Sequence, residues 1–181
     1  MKKTEIIAPR DARWLSDIKE LNNEIPSNCI FDKGITGCGG TELALRNDKN
    51  TIAAVPFVGL IENKVLQHKG KVIGVYGGVN QQEIEHSILI NEKKKIMVTY
   101  DSLPRVITIL EQLGYNPYQD FFLLVDEWHV LFNSYVFRKE AIKEILKEAP
   151  KFKEVTYMTA TPIEDKYMFK EFKHLPIVEI K

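Results

Sequence analysis

Cys29-Ile30-Phe31-Asp32-Lys33-Gly34-Ile35-Thr36-Gly37-Cys38-Gly39-Gly40-Thr41-Glu42-Leu43-Ala44-Leu45-Arg46 joins an apolar strand to a helix start through a glycine-rich turn. Outward from it, the apolar segments stay short and β-rich, with helix-like stretches between them. Thr51 to Val55 reads as a second strand ending at Pro56, and Lys71 to Tyr76 as a third, closed by Gly77-Gly78. Lys95 to Thr99, Phe121 to Val125 and Glu154 to Met158 bring the set to six. Gln81 to Ile90 follows Asn80, a suitable N-cap, and Leu103 to Leu113 ends before Gly114, suited to the C′ position. Arg138 to Ala149 carries Ala141, Ile142, Ile145, Leu146 and Ala149 on an i, i+3, i+4 stripe that stops at Pro150. Ahead of the first strand, Trp14, Leu15, Ile18 and Leu21 predict a further amphipathic helix. Near-continuous apolar strands alternating with helices predict an α/β domain with a mainly parallel sheet covered on both faces. Ligands of such a doubly wound domain are expected at the carboxyl ends of the strands.

At 181 residues the chain suits one sizeable hydrophobic core. Its 44% hydrophobic and 28% charged residues are ordinary for a globular protein. Lys and Arg number 25 and Asp and Glu 25, so net charge lends no support to a nucleic-acid or membrane partner, though a local basic face is compatible with it. The apolar runs are far shorter than the roughly 20 residues that span a bilayer. The N-terminus has charged residues without an apolar core between them, which argues against a signal peptide. Cys29 and Cys38 fit neither a disulfide framework nor a zinc site, which makes a reducing cytoplasm the expected location.

Three segments carry chemistry. In Gly34-Ile35-Thr36-Gly37-Cys38-Gly39-Gly40-Thr41 the glycines let backbone N–H groups turn inward around an anion, and the helix that follows adds its positive end. The segment fits the phosphate-loop pattern G-x-x-x-x-G-K-[ST] everywhere except Gly40, with Thr41 as the hydroxyl that holds Mg2+. A tight structural turn is the competing reading. Phe121-Phe122-Leu123-Leu124-Val125-Asp126-Glu127-Trp128-His129 ends an apolar strand in two adjacent carboxylates. Asp126 can hold Mg2+ and Glu127 can orient or deprotonate a water; a solvated acidic turn is the alternative, and His129 by itself is as readily structural. Val155-Thr156-Tyr157-Met158-Thr159-Ala160-Thr161-Pro162 ends a strand in two hydroxyls.

The order of these segments resembles superfamily 2 helicases, and specifically the first RecA-like domain of the DEAD/DEAH-box group, a P-loop NTPase of three-layer sandwich form. Thr36-Gly37-Cys38-Gly39-Gly40-Thr41 is similar to motif I, Asp126-Glu127-Trp128-His129 to the D-E-x-H form of motif II, and Thr159-Ala160-Thr161-Pro162 to motif III. Val55-Pro56 with Leu60, Gly77-Gly78, and Thr99-Tyr100-Asp101-Ser102-Leu103 resemble lesser landmarks, so the likeness covers about residues 29 to 163. The resemblance implies ATP and Mg2+ as cofactors, with residues 29–181 as the RecA-like nucleotide-binding domain and 1–28 as a helical extension of it. It further implies that amides around Gly34, Thr36, Gly37, Cys38, Gly39 and Gly40 face phosphates, and that Thr41 and Asp126 hold Mg2+. Glu127 becomes the catalytic base, and His129 bonds toward Thr159 or Thr161 to couple nucleotide state to motif III. Nucleic acid, DNA or RNA, is expected across loops at Pro56 and at Tyr100, Asp101 and Ser102, contacted through its backbone.

Two departures qualify the resemblance. Glycine stands at position 40 where the family has a lysine that neutralises phosphate charge; losing such a charge costs about 3 kcal/mol, roughly a hundredfold in rate. Lys33 is the nearest replacement and Arg46 the next, while a solvated strand-end lysine is the competing reading of Lys33. The second RecA-like domain of a helicase motor is not seen, and Pro176 to Lys181 reads either as a last strand or as a lead into further chain. No adenine-reading glutamine motif is evident, leaving Trp14 or Arg10 to cover a base. The expected function is an ATP-binding helicase-like domain acting on nucleic acid with weak hydrolysis. A degenerate RecA-like scaffold is the main alternative, and a phage terminase-like packaging ATPase a third.

Overall fold

Alternate residues of each central strand enter two separate cores, as the 2.0-residue period of a strand requires. Ile30, Ile52, Ala54, Ile96, Val98, Leu123, Val125, Val155 and Tyr157 face one core. Cys29, Phe31, Ala53, Val55, Met97, Phe122, Leu124 and Met158 face the other. The computed structural model describes residues 2–133, 139–164 and 166–181. Within them one eight-stranded sheet has the order β1-β8-β2-β7-β6-β3-β5-β4. Its strands are β1 (Lys3–Ile6), β2 (Cys29–Asp32), β3 (Thr51–Val55), β4 (Ile73–Val75), β5 (Lys95–Thr99), β6 (Phe122–Asp126), β7 (Glu154–Thr159) and β8 (Ile177–Ile180). Every pairing is parallel.

The helices are α1 (Gly40–Arg46), α2 (Val58–His68), α3 (Gln81–Ile90), α4 (Leu103–Gln112), α5 (Pro117–Asp120), α6 (Val130–Asn133) and α7 (Lys139–Glu148). α1 and α2 cover one face of the sheet, and α3, α4 and α7 the other, giving three layers. Local chemistry sets the ends as expected: Asn80 Oδ1 accepts the Gln82 amide at 2.8 Å to cap α3, and Gly114 follows α4 in the left-handed region at φ +88°.

Three expectations are corrected. The amphipathic helix predicted from Trp14, Leu15, Ile18 and Leu21 is two short 3-10 helices, Leu15–Asp17 and Lys19–Leu21, and β1 precedes them. Leu15, Ile18 and Leu21 are buried at a spacing of three, the period of a 3-10 turn rather than an α-helix, and Trp14 stays half exposed. Two strands add to the six, because β1 pairs with β8 and β8 with β2; within Pro176 to Lys181 the last-strand reading holds for Ile177–Ile180. The third predicted strand shrinks to Ile73–Val75, and α2, not anticipated, follows β3. Arg138 lies outside the described residues. No helix among the described residues is long and apolar enough to cross a membrane.

Candidate active site

β2 and β6 flank β7, so the turn after β2 and the acidic end of β6 meet at the same carboxyl edge. Register places Asp32 beside Thr159 and Asp126 beside Met158. The chain leaves β2 through Lys33, whose amide donates to the Thr159 carbonyl at 2.9 Å. It then turns through Gly34, Gly37 and Gly39, all at φ between +72° and +83°, where a side chain is disfavoured. Residues 34–37 of this loop are exposed, Cys38 is buried, and α1 starts at Gly40.

Six side chains converge there. The Thr41 hydroxyl donates to Asp126 Oδ2. Lys33 Nζ lies 2.7 Å from Glu127 Oε1 and 3.6 Å from Asp126 Oδ1. The other oxygen of Glu127 lies 3.4 Å from His129 Nδ1. That ring nitrogen is 2.9 Å from the Thr159 hydroxyl, which donates to the Thr161 carbonyl at 3.0 Å and accepts the Thr161 amide at 2.9 Å. With its one proton directed to Thr161, Thr159 accepts from His129, so His129 Nδ1 is the donor.

Backbone geometry separates the neighbours of the acidic pair. Asp126 ends β6, and Glu127 sits in the left-handed region at φ +53°, a strained position for a non-glycine residue, its amide donating to Asp126 Oδ1 at 2.9 Å. The turn sends Glu127 toward the loop and Trp128 into the core, packed edge-on against Phe132 and Phe172 with ring centroids 5.0 and 4.9 Å away. Burial pushes the Asp126 carboxyl up, opposed by the Lys33 charge and the Thr41 hydrogen bond. Burial also opposes the Lys33 ammonium, yet the Asp126 charge and the bond to Glu127 outweigh it and hold Lys33 above its ordinary value.

A cleft of about 1270 Å3 opens beside the loop, lined by Trp14, Lys33, Gly37, Thr41, Asp126 and Glu127 among others. The cleft continues past the loop along α1 as far as Asn47 and Lys95. Thr41 and Asp126 present hard oxygen donors side by side, as Mg2+ requires. Among the described residues no group of three or more His, Cys, Asp or Glu is arranged to hold a metal.

No protein-family model matches the sequence, and no characterised protein sequence matches it. Solved structures do match. Mss116p bound to ssRNA and AMP-PNP superposes with TM-score 0.62 at 10% identity, over 99% of this chain and 48% of that one. The UvsW helicase of bacteriophage T4 gives 0.55 at 11% identity, over 98% and 64%. The Pyrococcus furiosus Hef helicase domain gives 0.53 at 16% identity, over 86% and 35%. The fold is that of a RecA-like helicase domain. The chain spans about two thirds or less of the length of each of these structures.

In this RecA-like domain the loop residues, Lys33, the acidic pair, His129 and Thr159 stand together, and of the residues expected at nucleic acid Tyr100 is seen to touch them. Val55 and Thr99 are in register on β3 and β5, so Pro56 and Tyr100 to Ser102 share another part of the carboxyl edge. Tyr100 is buried and its hydroxyl donates to the Asp126 carbonyl at 2.5 Å, so its side chain braces the acidic strand end instead of facing a ligand. Pro56 is buried too, while Phe57 and Leu60 beside it are exposed.

Met158 is the residue that sequence reasoning missed. A Cβ built on Gly40 would lie 2.6 Å from Met158 Sδ and 2.8 Å from its Cε. Gly40 has no positive φ, so its backbone does not demand glycine; a side chain there needs the buried end of Met158 to move aside. Pattern reading could find Met158 only as an inward strand residue, not as the neighbour of position 40.

Proposed function

We propose that this domain binds a magnesium nucleotide, ATP by preference, in the cleft beside the Gly34–Thr41 loop and acts on nucleic acid as a DEAD/DEAH-type helicase domain. The observation that carries the reading is the meeting of the Thr41–Asp126 hydrogen bond, Glu127 and the His129–Thr159 contact at one strand edge. A structural turn has no need of two carboxylates beside it, and the strain at Glu127 is typical of functional positions.

The loop amides around Gly34, Thr36, Gly37, Cys38, Gly39 and Gly40 bind phosphate oxygens, and Thr41 and Asp126 hold Mg2+. When bound, that ion neutralises charge on the terminal phosphates. Glu127 orients a water and accepts its proton at the carboxylate. His129 ties Glu127 to Thr159 and Thr161, so a change at the phosphates reaches the end of β7. Trp14 or Arg10 covers the base; the Trp14 ring lies 3.5 Å from the Cβ position of Gly39, which supports the former. Nucleic acid lies across Pro56, Asp101 and Ser102 through backbone contacts, with Tyr100 contributing from beneath. A second RecA-like domain or chain completes the motor, which agrees with the partial coverage of the matched structures. Cys29 and Cys38, both free and buried, suit a reducing cytoplasm.

A titration with Mg-ATP, with and without single-stranded DNA or RNA, tests this reading. Micromolar binding by wild type that falls more than tenfold in Asp126→Ala supports it; no binding by wild type defeats it. The scaffold alternative draws on Gly40 and predicts binding without hydrolysis. Gly40→Lys alone does not separate the two, because Met158 opposes the new side chain; Gly40→Lys with Met158→Ala does. Turnover appearing only in that double variant identifies the native protein as the idle form.

A further inference from the structure

We propose that the positive charge of the phosphate site has moved from the first turn of α1 to the end of β2, where Lys33 carries it, and that Lys33 exchanges between the acidic pair and the bound phosphates. The inference rests on the nucleotide-site reading above and deepens it.

Two independent observations support the move. At position 40 the space that a side chain would enter is filled by Met158, fully buried, with Leu15 Cδ1 a further 3.5 Å contact. Thioether ends are flexible, so a lysine there requires Met158, enclosed in the core, to take another rotamer. At position 33 an ammonium is delivered into the same cleft from the other side of the loop. Its side chain is 6% exposed, and its backbone is pinned to β7 through the Thr159 carbonyl. A buried lysine is costly unless paired, and Lys33 is paired with both carboxylates of the site. A solvated strand-end lysine would not be buried.

The pairing has a consequence for order of events. In this structure the ammonium hydrogen-bonds Glu127, the group that must receive a proton, and lies close to Asp126, the group that must hold the ion. With Lys33 in place the pair carries one net negative charge in place of two, so the site has less attraction for a free divalent cation. Phosphates entering the loop supply a competing anion for the ammonium. The flexible four-carbon stem of Lys33 turns from Glu127 to the phosphates, and both carboxylates become available together. Metal binding and base release are thereby tied to nucleotide arrival.

The test uses the full chain with Mg2+ alone and with Mg2+ plus AMP-PNP, each followed by calorimetry. Lys33→Met is expected to weaken AMP-PNP binding at least tenfold while raising the affinity for Mg2+ alone severalfold. Opposite signs are what a merely structural role does not produce. Lys33→Arg should retain most nucleotide affinity, and Lys33→Met with Gly40→Lys and Met158→Ala should recover it. If Lys33→Met fails to fold, Glu127→Gln and its double variant with Lys33→Met give the same comparison, the double variant again binding nucleotide at least tenfold more weakly. Equal nucleotide binding with and without Lys33 overturns the inference and leaves the nucleotide site standing. A wild type that binds neither nucleotide nor pyrophosphate overturns both.

Discussion

The two ends of α1 each lie beside a buried lysine, and the two lysines live in opposite electrostatic surroundings. At the first turn Lys33 meets two carboxylates and is held above its ordinary value against the pull of burial. Past the last turn Lys95, 6% exposed, makes no ion pair among the described residues; Asp48 acts on it only through its charge, against that of Lys93. Its ammonium donates instead to the Ala44 and Lys49 carbonyls, Asn47 Oδ1 and the Thr51 hydroxyl, and burial lowers it to about 8. Lys95 is a cap: a cation at a helix C-terminus satisfies carbonyls that have no partner in the helix and suits the helix dipole. Lys33 is held by charges that a chemical site needs for other purposes. Similar burial thus gives one anchor and one exchangeable group, and the partners decide which.

The sharpest test of that contrast is Lys95→Met. It should lower the unfolding free energy by about 3 kcal/mol, since it strands carbonyls and a hydroxyl in a buried setting, while leaving Mg2+ affinity unchanged. Denaturant melts beside calorimetry separate the two effects; a change in Mg2+ affinity as large as that of Lys33→Met would erase the distinction. The pH dependence differs in sign as well. Lys95 loses its proton near 8 in the folded protein but at its ordinary 10.5 when unfolded. Between those values the unfolded chain holds more protons, so this group makes stability rise with pH, and Lys95→Met should flatten the rise. Lys33, raised above 10.5, contributes stability that is complete below 10.5 and is lost as pH climbs through its folded value.

Gly40→Ala probes the first turn with a smaller effect. Alanine favours a helix over glycine by about 1 kcal/mol. The Met158 contact should reverse this into a net loss of about 1–2 kcal/mol, and Met158→Ala should cancel it in a double-mutant cycle. A stabilised Gly40→Ala would mean that the core yields and that steric exclusion is not what keeps glycine there. The smallest effect is expected midway, at Glu42. Arg46, Lys64 and His68 approach it at 2.6, 2.7 and 3.1 Å. Burial pushes its carboxyl up, but these hydrogen bonds dominate and lower it to about 2. Its contribution is present above the ordinary 4.5 and disappears as pH falls through about 2. Glu42→Gln should therefore cost about 1 kcal/mol near neutral pH, screened by water, and the cost should vanish in acid.

The central strands were legible because each is buried on both faces and therefore reads as an apolar run. The edge pair was not. β1 is Lys-Thr-Glu-Ile with its residues largely exposed, and β8 is only half buried, so neither carries the pattern of a covered strand. α2 escaped notice because Ile61 is its one fully buried residue, while Leu60 and Leu66 face outward and blur the stripe. Leu15, Ile18 and Leu21 announced burial correctly, but their spacing of three belongs to successive 3-10 turns.

By itself the sequence determined which residues could do chemistry at the strand ends, and in what order along the chain they arrive. Hydrophobic periodicity and glycine placement are local properties, and a parallel α/β sheet follows from them. Only the tertiary structure decided that Gly40 faces Met158, 118 residues away in the chain, that Tyr100 turns inward to brace Asp126, and that Lys33 points at Glu127. Those contacts join elements that are distant in sequence and that the strand order brings to one sheet edge, β2 and β6 across β7 and β5 and β6 across β3, so no local pattern encodes them. The missing lysine at position 40 is visible in the sequence; the filled space that opposes it, and the ammonium that enters from the opposite side, are consequences of packing.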